Sequence, residues 1–336
     1  MRPLRFVLIF ALALISVVAV VTGGLFVYEP SPAQGFAFSS VGATLRLPDG
    51  RALAYLEVGD PEGRPVFYFH GGPGSRLEAR LFDDLCKELG VRLIAADRPG
   101  YGLSDDQKDR TYLDWPGDVA ALADHLGIER FAVLGWSSGG PYAAAVAYEI
   151  PERLSVAAIV AGVGPIAAAD FPPSALGEET FGGSATNRLF IWSARNGPWL
   201  MRALFRAMRI MVFTDPAGLV ENADETSFSE RDLEFFARRE FSVSTVEAFR
   251  QGVAGATRDF TIERRLWPFA LGQINAPTVL VFHGGQDMGV HPSVAEYVCR
   301  RMPRCDEPKI FAEEGHSVIY SRFSDIVRAM VTAWDS

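Results

Sequence analysis

Lysine is nearly missing from this chain. Lys87, Lys108 and Lys309 are the only three, and arginine supplies the rest of the 32 basic residues. Against 41 acidic residues this leaves a net charge of −9. Nucleic acid requires a basic face, so no nucleic-acid partner is expected. The arginine preference reads as coding bias. Cysteine is also scarce, at three residues, and no Cys/His spacing suggests a metal site. Neither a metal nor another cofactor is called for. No repeat of about 20–50 residues recurs, which speaks against solenoids and propellers. A charged fraction of 22% with 12% aromatics excludes a wholly disordered chain. At 336 residues the chain can bury roughly three quarters of its unfolded surface without staples.

The N-terminus departs from the rest. Residues 6–27, FVLIFALALISVVAVVTGGLFV, carry no charge. Such a helix reaches about 33 Å, enough to cross a hydrocarbon core of about 30 Å. Arg2 and Arg5 precede it, and no Lys or Arg follows until Arg46. By the positive-inside rule the N-terminus stays cytoplasmic and the remainder lies outside. Residues 1–28 therefore read as an N-terminal transmembrane helix acting as a single-pass anchor. The alternative is a cleaved signal peptide, with Val21-Thr22-Gly23 as a tolerable cleavage sequence and a secreted product. Residues 29–40, EPSPAQGFAFSS, read as a linker. Export permits a disulfide between Cys299 and Cys305, while Cys86 reads as a buried core thiol.

Beyond the linker, strand and helix patterns alternate. Strands are predicted over 44–47, 52–58, 65–70, 92–96, 130–134, 156–161, 278–283 and 309–312. Helices are predicted over 77–89, 112–126, 140–149, 292–301 and 323–333. This is the order of a parallel sheet with right-handed crossovers, whose sites sit at the carboxyl ends of strands. Residues 166–274 break the alternation with helical patterns alone, at 187–196, 199–213 and 231–239. They read as a helical cap inserted into a core formed by 41–165 and 275–336. Within 199–213, Arg202, Arg206 and Arg209 share one helical face. That face is either a solvated stripe on a buried helix or a basic surface near anionic headgroups, and the apolar remainder could bind an acyl chain. Glu221, Glu225 and Glu230 could hold an amine but read as exposed loop charge.

The chemistry centres on Gly135-Trp136-Ser137-Ser138-Gly139, which fits G-x-S-x-G between the strand FAVL and a helix. Its glycines let the backbone reverse sharply and hold Ser137 outward. A serine hydroxyl needs a base. Of five histidines, His316 in Glu313-Glu314-Gly315-His316-Ser317 lies past the last strand, before the last helix. His70 and His283 each precede Gly-Gly and read as turn-stabilising. His125 and His291 read as surface or packing residues. Asp287 follows the strand TVLVF and can orient the base. Ser137, Asp287 and His316 thus stand in the order Ser…Asp…His. In His70-Gly71-Gly72-Pro73-Gly74, successive glycines can aim N–H groups at an oxyanion. The Gly72 and Ser138 N–H groups are the expected donors.

Together these residues resemble the α/β-hydrolase superfamily over about residues 42–334. HGGPG at 70–74, DRPGYGLSD at 97–105 and GWSSGG at 135–140 carry the resemblance, joined by HGGQD and EGHS. It implies a mostly parallel eight-stranded sheet flanked by helices, with Asp97 and Arg98 supporting the site scaffold. Serine at 137 in place of aspartate separates the chain from the epoxide hydrolase and haloalkane dehalogenase branches. HGGPG is similar to the motif of proline iminopeptidases. Those usually read D-Q-R-G and G-G-S-W-G where this chain has DRPG and GWSSG. The closer likeness is to a broad group of bacterial α/β hydrolases of loosely assigned esterase type. The resulting expectation is a membrane-anchored extracytoplasmic serine hydrolase of small ester or acyl substrates, with no obligate protein partner. The alternatives are a proline-iminopeptidase-like aminopeptidase and a catalytically silent fold used for binding.

Overall fold

The structure is a computed structural model that describes residues 23–24, 28–172, 192–193, 196–216 and 228–335. All but two of residues 6–27 fall outside these, so the expected membrane segment does too. Among the described residues no helix is long and apolar enough to cross a membrane.

Eight short apolar runs become eight strands: β1 (Ala43–Arg46), β2 (Ala52–Gly59), β3 (Arg64–Phe69), β4 (Val91–Ala96), β5 (Phe131–Trp136), β6 (Leu154–Val160), β7 (Val279–Gly284) and β8 (Lys309–Phe311). Their order in one sheet is β1-β2-β4-β3-β5-β6-β7-β8. Only β2 runs antiparallel to its neighbours, β1 and β4; every other pairing is parallel. Every residue of β5 and β6 is buried, as continuous apolar composition requires of strands covered on both faces.

Ten helices surround the sheet: α1 (Asp83–Glu88), α2 (Trp115–His125), α3 (Gly140–Glu149), α4 (Pro198–Thr214), α5 (Glu230–Phe236), α6 (Arg239–Ala248), α7 (Ala254–Glu263), α8 (Ser293–Cys299), α9 (Val318–Ser321) and α10 (Phe323–Trp334) among the described residues. Strand alternation sorts them. Phe67 and Phe69 face α2 and α3 and pack with Trp115 and Tyr142. Val66 and Tyr68 point the other way, toward Phe82, Phe323 and Ile326 of the α1 and α10 side. The 3-10 turn preceding α2 starts on a capping box, in which Thr111 and Asp114 bond each other's backbone N–H groups. Cys299 and Cys305 form a disulfide, and Cys86 is free and buried.

Helices α4 to α7 lie between β6 and β7, and no strand interrupts the described part of 166–274. Met201, Phe205, Val212 and Phe213 of α4 pack with Val246, Phe249 and Val253 into a small core of their own. Polar contacts fasten this unit to loops at the carboxyl ends of strands. Ser244 bonds Ser75 at 3.0 Å, Glu247 pairs with Arg76 at 3.0 Å and Asp259 pairs with Arg98 at 2.9 Å. Contrary to the expectation from helical spacing, Arg206 and Arg209 form neither a solvated stripe nor a headgroup-facing surface. Both are buried, and both bind the Glu29 carboxylate, at 2.9 and 2.6 Å. A helix pattern shows which residues share a face, but not that a segment far away in sequence covers it. The predicted helix 187–196 and Glu221 and Glu225 lie largely or wholly outside the described residues, and Glu230 is exposed at the start of α5.

Candidate active site

Ser137 stands where β5 turns into α3, with φ +53, in the left-handed region that side chains avoid. Holding it there costs on the order of 1 kcal/mol, offset by packing on both sides. The turn closes because its flanks are glycine. A Cβ on Gly135 would overlap the Gly139 carbonyl, and one on Gly139 would overlap the Phe69 carbonyl. Ser137 Oγ lies 2.9 Å from His316 Nε2, and His316 Nδ1 lies 2.8 Å from Asp287 Oδ2. An ionised carboxylate only accepts, so Nδ1 carries the proton and Nε2 is left to accept from Ser137. All three residues are buried.

Asp287 is fixed from both oxygens. Oδ1 accepts the N–H groups of Gly289 and Val290, each at 2.8 Å. Oδ2 also lies 3.1 Å from His283 Nε2. Burial alone would raise its pKa, but the charges and hydrogen bonds of His316 and His283 hold its carboxyl well below the usual range. Burial works against protonated His316 as well, yet Asp287, and then Asp232, leave its pKa raised.

Gly72 and Ser138 face each other: a Cβ on Gly72 would come within 2.7 Å of Ser138 Oγ. The Ser138 N–H opens the 3-10 turn Ser137–Gly139, where the first donors have no carbonyl of their own element to bond. Arg98 braces the Gly72 loop from below. It donates to the carbonyls of His70 and, at 3.3 Å, Gly71, and is neutralised by Asp259. Asp259 also bonds Arg110 and the Tyr142 hydroxyl. Asp97 instead pairs with Arg76 at 2.6 Å. His70 spends both ring nitrogens on the turn, bonding Gly71 O at 2.8 Å and the Arg98 N–H at 3.3 Å.

Sequence reasoning missed several residues of this site. His283, read only as a turn residue, sits against the acid. Asp232 of α5 accepts the backbone N–H groups of His316 at 3.0 Å and Ser317 at 2.6 Å. The Ser229/Asp232 capping box was a readable helix start, but nothing local tied it to His316. Trp136 Nε1 donates to His316 O at 3.0 Å. Glu78 is fully buried beside the Gly72 loop, where it accepts from the Tyr68 hydroxyl at 2.7 Å.

Burial pushes the Glu78 carboxyl up from its ordinary 4.5 to about 7, against the lowering effect of the Tyr68 hydrogen bond. A raised acid favours the folded state while protonated, so its contribution is lost as pH rises through about 7. Glu78→Gln, which cannot ionise, should therefore gain on wild type by up to about 3 kcal/mol between pH 4.5 and pH 8.5. Urea unfolding midpoints at the two pH values check this. Parallel pH dependence in the two proteins would remove the assignment.

The sequence profile described as "Alpha/beta hydrolase family" matches residues 66–329. A proline iminopeptidase of Xanthomonas citri is 36% identical over 109 residues, covering 31% of this chain and 34% of that protein. The dihydrolipoyllysine-residue acetyltransferase component of an acetoin cleaving system in Pseudomonas putida is 31% identical over 270 residues, covering 80% of this chain and 63% of that protein. The chain thus spans less than two thirds of the length of either. Among solved structures, a thermophilic esterase from Thermogutta terrifontis has a TM-score of 0.59 at 19% identity, covering 88% of this chain and 100% of that one. The enol-lactonase of Burkholderia xenovorans LB400 has a TM-score of 0.60 at 19% identity, covering 86% and 100%. At such identity the structures speak for the fold, while the profile spans most of the sequence. The chain belongs to the alpha/beta hydrolase family.

Proposed function

We propose that this protein is a serine hydrolase of carboxylic esters, anchored in the membrane by residues 6–27 with its catalytic domain outside the cytoplasm. The contact of Ser137 Oγ with His316 Nε2 at 2.9 Å, backed by Asp287 at 2.8 Å, carries the reading. His316 Nε2 takes the Ser137 proton as Oγ attacks the acyl carbon. The Gly72 and Ser138 N–H groups stabilise the oxyanion. Collapse breaks the ester C–O bond, and His316 returns the proton to the leaving alcohol. Water, deprotonated by the same nitrogen, then releases the acid and restores Ser137.

Fluorophosphonate labelling of the folded protein, located by peptide mass, tests the nucleophile. An adduct at Ser137, absent from Ser137→Ala, is expected. Its absence from well-folded protein would favour a silent, binding role. A panel of acyl esters and a proline arylamide then separates the second reading, an aminopeptidase, which the similarity to the Xanthomonas citri proline iminopeptidase favours. Preference for the arylamide would replace the ester assignment.

The pH profile follows from the base. His316 must be neutral to accept the proton, and its pKa is raised even though burial opposes this. The acid limb of kcat/KM should therefore inflect above the ordinary histidine value of about 6.5. Asp232→Asn removes one of the charges holding it up and should move the inflection to lower pH. An unmoved limb would show that Asp232 does not act on His316.

A further inference from the structure

The outer face of α4 takes no part in the chemistry above. Trp199 is 63% exposed, Trp192 52% and Met211 50%, while Tyr28, 53% exposed, lies against the same helix through its carbonyl and Arg206. These are four of the seven large hydrophobic residues that stand exposed among the described residues, so the exposed apolar surface is concentrated here. Trp192 and Trp199 are neighbours, each approaching the Cβ position of Gly197 within 3.7 Å. Arg202 is exposed on α4, whereas Arg206 and Arg209 are turned away from solvent and held by Glu29.

What this face meets is decided by where the N-terminal segment arrives. Residues 28–41 are strapped down along the cap. Glu29 binds Arg206 and Arg209, the Ala33 N–H bonds Phe213 O at 2.6 Å, and the Phe38 ring meets Phe213 at 5.7 Å. Farther on, the Ser39 carbonyl accepts from Arg76 at 3.0 Å and Arg250 at 2.8 Å. A residue spans at most about 3.6 Å of chain. Tyr28, the first residue after 6–27, is therefore itself held close to α4 through its carbonyl and Arg206.

We propose that the outer face of α4 seats in the lipid interface of the bilayer, with Trp192, Trp199 and Tyr28 as amphipathic anchors and Met211 as an apolar contact. The proposal rests on the reading of 6–27 as an anchor. Indole and phenol rings combine an apolar body with a polar tip and suit the headgroup boundary. An apolar patch beside the exit of an anchor is covered by the membrane without a protein partner.

The test reconstitutes the full-length protein into phosphatidylcholine vesicles, with and without acyl chains brominated near the headgroup. The chain has six tryptophans, none of them within residues 1–28, so bromine quenching reports the folded domain and not the anchor. The protein should float with the vesicles, and brominated lipid should remove about a third of the tryptophan emission, the share of two residues in six. A variant carrying both Trp192→Phe and Trp199→Phe should float equally and lose this quenching. Wild-type protein that floats but is not quenched overturns the proposal while leaving the anchor intact; cross-linked dimers in those vesicles would then assign the face to a second copy. Protein that stays out of the vesicle fraction overturns the anchor reading and the proposal together.

Discussion

Asp287→Asn should lower kcat for ester hydrolysis by about four orders of magnitude while leaving the fold intact. The wiring of this carboxylate fixes which way the amide must turn. Its Oδ1 position accepts two backbone N–H groups, from Gly289 and Val290, so the amide oxygen is held there. The NH2 group then takes the Oδ2 position and points at His316 Nδ1 and His283 Nε2. Facing a donor, Nδ1 must become an acceptor, and its proton moves to Nε2. That nitrogen can no longer take the proton of Ser137. Circular dichroism should match wild type, while turnover of a nitrophenyl ester and fluorophosphonate labelling fall together. A loss of less than tenfold in a folded variant would show that Asp287 does not set the tautomer.

The largest effect on stability is expected at Asp259→Ala. This carboxylate is fully buried, between Arg98 and Arg110, whose side chains are 0% and 1% exposed. Burial alone would raise its pKa, but the two guanidinium charges hold it well below the usual carboxylate range. Removing it strands both cations without water or counter-charge, at a cost of about 3–5 kcal/mol. In a domain of this size that is a fall in the thermal midpoint on the order of 10 °C. Activity should fall as well, because Arg98 braces the His70 and Gly71 carbonyls beneath the Gly72 N–H. Asp335→Ala provides the contrast. Its pair with Arg64 is 55% and 38% exposed, and its loss should cost less than about 1 kcal/mol. Equal midpoint shifts for the two variants would contradict the buried-charge argument.

Some residues were readable because their signal is local. Strands β5 and β6 announce themselves as continuous apolar runs, and the turn at Ser137 through glycines at fixed offsets. Ser137, Asp287 and His316 each follow a strand, and in a parallel sheet the carboxyl ends of strands converge. Their proximity therefore followed from topology before any distance was known. Asp232, Glu78 and Asp259 carry no such signal. A carboxylate in a helical pattern usually faces solvent, and only the packing of α5, the turn after β3 and α7 against the strand ends makes these three interior. Arg206 and Arg209 show the same limit from the other side. Helical spacing put them on one face and suggested an open basic surface, but Glu29, more than 170 residues away in sequence, occupies it.

By itself the sequence determined the sheet-and-helix alternation, the positions of the strand ends and the chemical types gathered there, because backbone period, glycine turns and motif order are properties of neighbouring residues. Tertiary structure alone decided which charges are buried and what they meet: Asp232 on the His316 loop, Asp259 between two arginines, and Arg206 and Arg209 against Glu29. The physical reason is that desolvation and Coulomb attraction depend on distance in space. The folded chain sets those distances between residues that its sequence keeps far apart.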